Sequence, residues 1–108
     1  MAGSMERVVK YALVLLMLSA ASANAQAVVD KSAEKLDEAA VAAMIEDVSA
    51  KFADPLAAQF KSLRQRDGDD GSICGTVNAK NAYGGYVGFV PFRYIIDRRK
   101  VYIGNTGC

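Results

Sequence analysis

CGTVNAKNAYGGYVGFVPF, residues 74–92, is the stretch on which the fold turns. It carries one of the two cysteines, four of the nine glycines and four of the nine aromatic residues. Ile73, Gly75, Val77 and Ala79 alternate with Cys74, Thr76 and Asn78, the period of two expected of a half-buried strand. Lys80 to Gly85 then turns the chain, because asparagine tolerates left-handed backbone angles and glycine enters them without a Cβ clash. Alternation resumes at Tyr86: Tyr86, Val90, Phe92, Tyr94 and Ile96 fall on one face, Val87, Phe89, Pro91, Arg93 and Ile95 on the other. Pro91 has no N–H for a ladder, so the second strand is at an edge there, bulged there, or ends there.

Working outward, Phe60 to Arg66 reads as an earlier strand whose apolar anchors, Phe60 and Leu63, differ in parity and leave its register open. Asp97 to Lys100 turns into a last strand, Val101 to Ile103. Further upstream, Leu36, Ala40, Val41, Met44, Ile45, Val48 and Phe52 recur at helical spacing, with Asp30 or Ser32 as the expected cap and Asp54-Pro55 as the stop. Pro55 to Ala58 can form a short second turn. The expected fold is α+β: one long helix on a small antiparallel meander of about four strands.

Parts of this chain resemble a known family. Asp54-Pro55 with Phe60, then Cys74-Gly75-x-Val77-Asn78-Ala79-Lys80-Asn81, then Gly84-Gly85-Tyr86-Val87-Gly88-Phe89 and Phe92 are similar to DPxSxxFRN…CGxVNAKNxxGGYxGF. That pattern marks a family of small, mostly uncharacterised exported bacterial proteins, many of them lipoproteins. The resemblance spans residues 54–92. It departs at Ser62-Leu63, which follow Phe60-Lys61 where an Arg-Asn pair is usual, and at Thr76, where Glu is frequent. It implies an exported α+β domain and no particular activity.

The first 25 residues read as a secretory signal peptide rather than as part of that domain. Arg7 and Lys10 precede an apolar run, Tyr11 to Leu18, and Ala23-Asn24-Ala25 is a small-x-small cleavage site. The run is far short of the ~20 apolar residues of a membrane span, so no transmembrane segment is expected after cleavage. No cysteine follows it that could carry a lipid. Residues 26–108 are then one exported domain, periplasmic or secreted. In an oxidising compartment Cys74 and Cys108 are expected to pair.

The net charge is +1, but the mature chain is polarised. Its part up to Phe60 is acidic and the remainder basic. An acidic helix attracted to a basic sheet is the plainer reading; a basic face for an anionic polymer is the sharper one. Nucleic acid is not an expected partner of an exported, nearly neutral chain.

Histidine is absent, which removes the usual general base and every Ser–His or Cys–His arrangement. Asp67-Gly68-Asp69-Asp70-Gly71 clusters carboxylates as a calcium loop does. It lacks the distal glutamate, however, since position 78 is Asn, and it reads as a solvated hairpin loop. No metal or cofactor is expected. The chemistry-bearing candidates are Asn78, Lys80, Asn81, Tyr83 and Tyr86, in or beside one connection. These residue types offer stacking area and hydrogen bonds to an envelope protein or a cell-wall glycan. The alternative is a small envelope hydrolase with a carboxylate pair drawn from Asp67, Asp69, Asp70 and Asp97. The plainer reading of each candidate is local: asparagines bonding backbone, glycines making a turn, Tyr86 in the core.

Overall fold

A computed structural model describes residues 27–66, 69–104 and 107–108, with the backbone alone at 69–70. The leader expected over residues 1–25 lies outside the described residues. Among the described residues the fold is α+β, with a long helix, α1 (Glu38–Ser49), on a four-stranded antiparallel meander. The strands are β1 (Gln59–Arg66), β2 (Asp69–Asn78), β3 (Val90–Ile95) and β4 (Lys100–Ile103), in that spatial order. Two 3-10 turns, Ser32–Lys35 and Pro55–Ala57, flank α1. No described helix is long and apolar enough to cross a membrane.

The core forms where α1 meets one face of the sheet. Val41, Met44 and Val48 make the buried stripe of the helix, at the spacing that puts side chains on one face. They pack on Phe60, Leu63, Ile73, Val77, Phe92 and Tyr94. The Phe60 and Phe92 rings meet edge to face, 5.7 Å apart at 87°, a favoured aromatic geometry.

The helix begins later than the sequence suggests. Asp37, not Asp30 or Ser32, is its cap, and its carboxylate accepts from the Ala40 N–H at 2.9 Å. Asp30 and Ser32 are committed elsewhere. Asp30 Oδ2 accepts from Ser62 N (2.8 Å), and Asp30 Oδ1 accepts from Ser32 N (3.0 Å) and Ser32 Oγ (2.6 Å). Ser32 Oγ in turn accepts from Leu63 N (2.9 Å). The helix also stops at Ser49, ahead of Asp54-Pro55. Lys51 and Phe52 donate to Val48 and Ser49 in a tightened last turn that brings Phe52 against the core.

These bonds to Ser62 and Leu63 hold a β-bulge that explains the parity conflict of Phe60 and Leu63. Lys61 pairs with Thr76 and Arg64 with Cys74, so Ser62 and Leu63 together oppose Gly75. The extra residue returns Leu63 to the core face. Ser62 takes a φ of 58°, and the N–H groups of Ser62 and Leu63 go to Asp30 and Ser32. Gly75 supplies the room. A Cβ there would stand 2.7 Å from Leu63 Cδ2, 3.1 Å from Phe92 Cε1 and 3.2 Å from the Lys61 carbonyl oxygen. The segment from Ala27 also covers the β1 edge: Val28 bridges Phe60, and Val29 N donates to the Phe60 carbonyl at 2.8 Å.

Two strand boundaries differ from expectation. β2 begins at Asp69, inside the supposed loop, because Arg66 pairs with Asp69 and the β1–β2 connection is only residues 67–68. β3 begins at Val90; Tyr86 to Phe89 lie outside it, joined to Lys80 by one bridge at Tyr86. Gly88, at φ 97°, breaks the extended run there. Pro91 stands opposite Thr76, and its carbonyl accepts from Gly104 N just past the end of β4. Its missing N–H therefore falls where β3 has become an edge.

Cys74 and Cys108 form a disulfide, with Cα atoms 6.1 Å apart. It lies on the sheet face away from α1, in the cross-strand row of Arg64, Cys74, Arg93 and Tyr102. Arg66 Nε donates to the Gly107 carbonyl at 3.0 Å beside it.

The acidic helix does meet the basic sheet. Arg99 grips Asp47 through two bonds of 2.8 Å and reaches Glu46 at 3.7 Å, and the buried Tyr94 hydroxyl donates to Asp47 at 2.6 Å. The Arg99 bonds, then the Tyr94 bond, bring the Asp47 carboxyl down to about 2. Burial, then the Asp47 bond, pushes Tyr94 up to about 12. A carboxyl with a depressed folded value stabilises above its unfolded value, near 4, and loses that contribution as pH falls toward 2. Asp47→Asn is therefore expected to cost about 1–2 kcal/mol at pH 7. It should also flatten the fall in melting temperature between roughly pH 4 and pH 2 seen in the wild type. Thermal melts across that range check both.

Candidate functional site

The connection between β2 and β3 holds the five candidate residues. Asn81 is its hub. Its N–H donates to the Gly85 carbonyl (2.8 Å), its carbonyl accepts from Gly84 N (3.0 Å), and Oδ1 accepts from Tyr83 N (2.9 Å) and Gly85 N (3.2 Å). Gly84 sits at φ 81°, where a side chain would be strained. Asn78 Oδ1 accepts from Gly88 N at 2.9 Å, and Val87 N donates to the Ala79 carbonyl. Both asparagine oxygens therefore hold the loop in shape.

That frame presents its larger side chains outward. Tyr83 is 97% exposed at the tip. Tyr86 is 46% exposed and does not enter the core. Its hydroxyl donates to the Ala57 carbonyl at 3.1 Å, fastening the connection to the Pro55–Ala57 turn, and Lys80 Nζ lies 5.3 Å from its ring centre. The structure thus joins Lys80 to Tyr86 and sets Tyr83 out in solvent.

Two exposed residues escaped the sequence reading. Leu56, on the second 3-10 turn, is fully exposed, and Val87 is 60% exposed. Leu56 and Tyr86 line a cleft of about 490 Å³ with Ile45, Pro55 and Ala57. A leucine directly after Asp54-Pro55 was the available signal, since a turn in that position needs no large apolar side chain. Val87 had none, because alternation placed it in a strand.

Two further clefts flank β1. One, of about 630 Å³, lies beside the disulfide and includes Arg64, Thr76 and Pro91. The other, of about 490 Å³, lies between the Ser32–Lys35 turn and β1. No aspartate or glutamate side chain lines any of these three clefts. Asp97 is exposed in the β3–β4 turn, while Asp67 and the side chains of Asp69 and Asp70 lie outside the described residues. Among the described residues, no group of three or more potential metal ligands comes together.

Comparison with protein families, with curated proteins and with solved structures yields no significant match to any of the three.

Proposed function

We propose that residues 26–108 are an exported envelope binding or accessory protein whose Asn78–Tyr86 connection holds a protein or a cell-wall glycan. The observation that carries this reading is a set of exposed apolar and aromatic side chains on and beside an internally bonded frame. Tyr83, Tyr86, Val87 and Leu56 are solvent-exposed, while the backbone beneath Tyr83 and Tyr86 is tied at Asn78, Asn81 and Ala57. A tyrosine on a stiff loop gives contact area at low ordering cost, which is what recognition surfaces use. Export is supported by the leader-like residues 1–25 and by the disulfide, which suits an oxidising compartment.

The test uses the mature domain and its Lys80→Ala/Tyr83→Ala variant as baits for envelope extract and purified sacculi. Both side chains lie outside the core, so the variant's stability is expected within about 0.5 kcal/mol of wild type. Loss of an aromatic anchor should weaken capture roughly tenfold or more. Equal capture by both baits would return these residues to a purely structural role.

A further inference from the structure

The cleft between the Ser32–Lys35 turn and the bulged part of β1 is lined by three cations, Lys31, Lys35 and Arg64, with Leu36 and Leu63 as its apolar floor. All three cations are exposed, and none makes an ion pair with a described residue. The nearby acids keep their charges but form no ion pair with these three cations among the described residues. Asp30 is an anion held by Ser32 and Ser62, with Lys61 favouring its charged form, Asp37 caps α1, and Glu34 is exposed on the same turn. The walls are fixed relative to each other because Ser32 Oγ accepts from Leu63 N and Asp30 from Ser62 N. Arg64 also lines the cleft beside the disulfide, so the two depressions meet at one guanidinium. Lys61 stands in the adjoining row, opposite Thr76.

We infer that this trough along β1 is a binding site for a linear anionic polymer carrying phosphate or carboxylate groups. The bulge's freed N–H groups are already bonded, so apart from the neutral side chains of Ser32 and Gln65 the trough offers charged tips, spread along its two walls. A single small anion needs converging donors; a chain of repeated charges is served by cations set along a track. Arg64, planar and forked, is suited to pair with either acid group at the junction. The site shares no residue with the Asn78–Tyr86 connection and does not rest on its role.

The mature chain is titrated with long-chain polyphosphate, with polygalacturonate and with neutral dextran, at low and at physiological salt. Expected is salt-sensitive binding of at least one polyanion and none of dextran. Lys35→Gln/Arg64→Gln, and separately Lys31→Gln/Lys35→Gln, which leaves the sheet untouched, should each weaken it about tenfold. Lys51→Gln/Arg98→Gln removes the same charge elsewhere and should leave binding unchanged, as should Lys80→Ala/Tyr83→Ala. The inference fails if the wild type binds neither polyanion, if the trough variants bind undiminished, or if either control pair weakens binding as much.

Discussion

Cys74→Ala with Cys108→Ala is expected to lower the melting temperature by roughly 20 °C, reflecting a loss of about 4 kcal/mol. The crosslink joins residues 34 apart in sequence, and opening a loop of that size returns much entropy to the unfolded chain. Cys74 is also buried, at 1% exposure in an interior strand, so its loss adds a small packing defect. The bond carries the C-terminus onto the sheet face that α1 leaves uncovered. Reduction of the wild type should therefore reproduce most of the shift and leave the double variant unmoved. A wild type whose melting is indifferent to reductant would contradict this account.

Gly75→Val is expected to cost about 3 kcal/mol, with Gly75→Ala costing about half as much. A Cβ at this position would lie 2.7 Å from Leu63 Cδ2, and yielding is hindered by Phe92 on one side and the Lys61 carbonyl on the other. The bulge makes this contact, because it aims Leu63 at the single residue facing it. A double-mutant cycle isolates the effect. Leu63→Ala alone is expected to destabilise by about 2 kcal/mol or more. In the Gly75→Ala background it should cost at least about 1 kcal/mol less, since it removes the clash. Additive effects would mean that Gly75 is not there to accommodate Leu63. Denaturant melts of the four proteins decide the matter.

The architecture was legible because its elements announce themselves locally. Alternation in β2 and β3, the helical stripe from Val41 to Val48 and the polar connections each follow from neighbouring residues. What escaped was set by distant atoms. Phe60 and Leu63 already showed the parity conflict of a bulge. Its cause is the pair Asp30 and Ser32, about thirty positions earlier, which look like helix caps until the Ser62 and Leu63 N–H groups are found on them. Asp69 to Gly71 have loop composition yet belong to β2, because Arg66 pairs with Asp69. Asp67-Gly68 between them is a dipeptide favoured in two-residue hairpin connections. Tyr86 to Phe89 continue the alternation of β3, and only the φ of Gly88 reveals that the ladder has not begun.

The candidate surface was legible in outline and divided in detail. Asparagine and tyrosine in one connection suggested recognition, but side-chain identity does not say which atoms are already bonded. Asn78 and Asn81 spend their oxygens on the loop itself, whereas Tyr83 and half of Tyr86 remain outside. Leu56 joins the surface through the Tyr86–Ala57 hydrogen bond, a contact across 29 residues that no local pattern encodes.

The recognition role of the Asn78–Tyr86 connection is tested most directly by amide chemical-shift mapping of the labelled mature domain. Soluble fragments of digested sacculi and the envelope protein recovered by capture are titrated in turn. With at least one of them, saturable shifts should cluster on Tyr83, Tyr86, Val87 and Leu56 and vanish in Lys80→Ala/Tyr83→Ala. Shifts that gather elsewhere on the domain, or that persist unchanged in that variant, would contradict it.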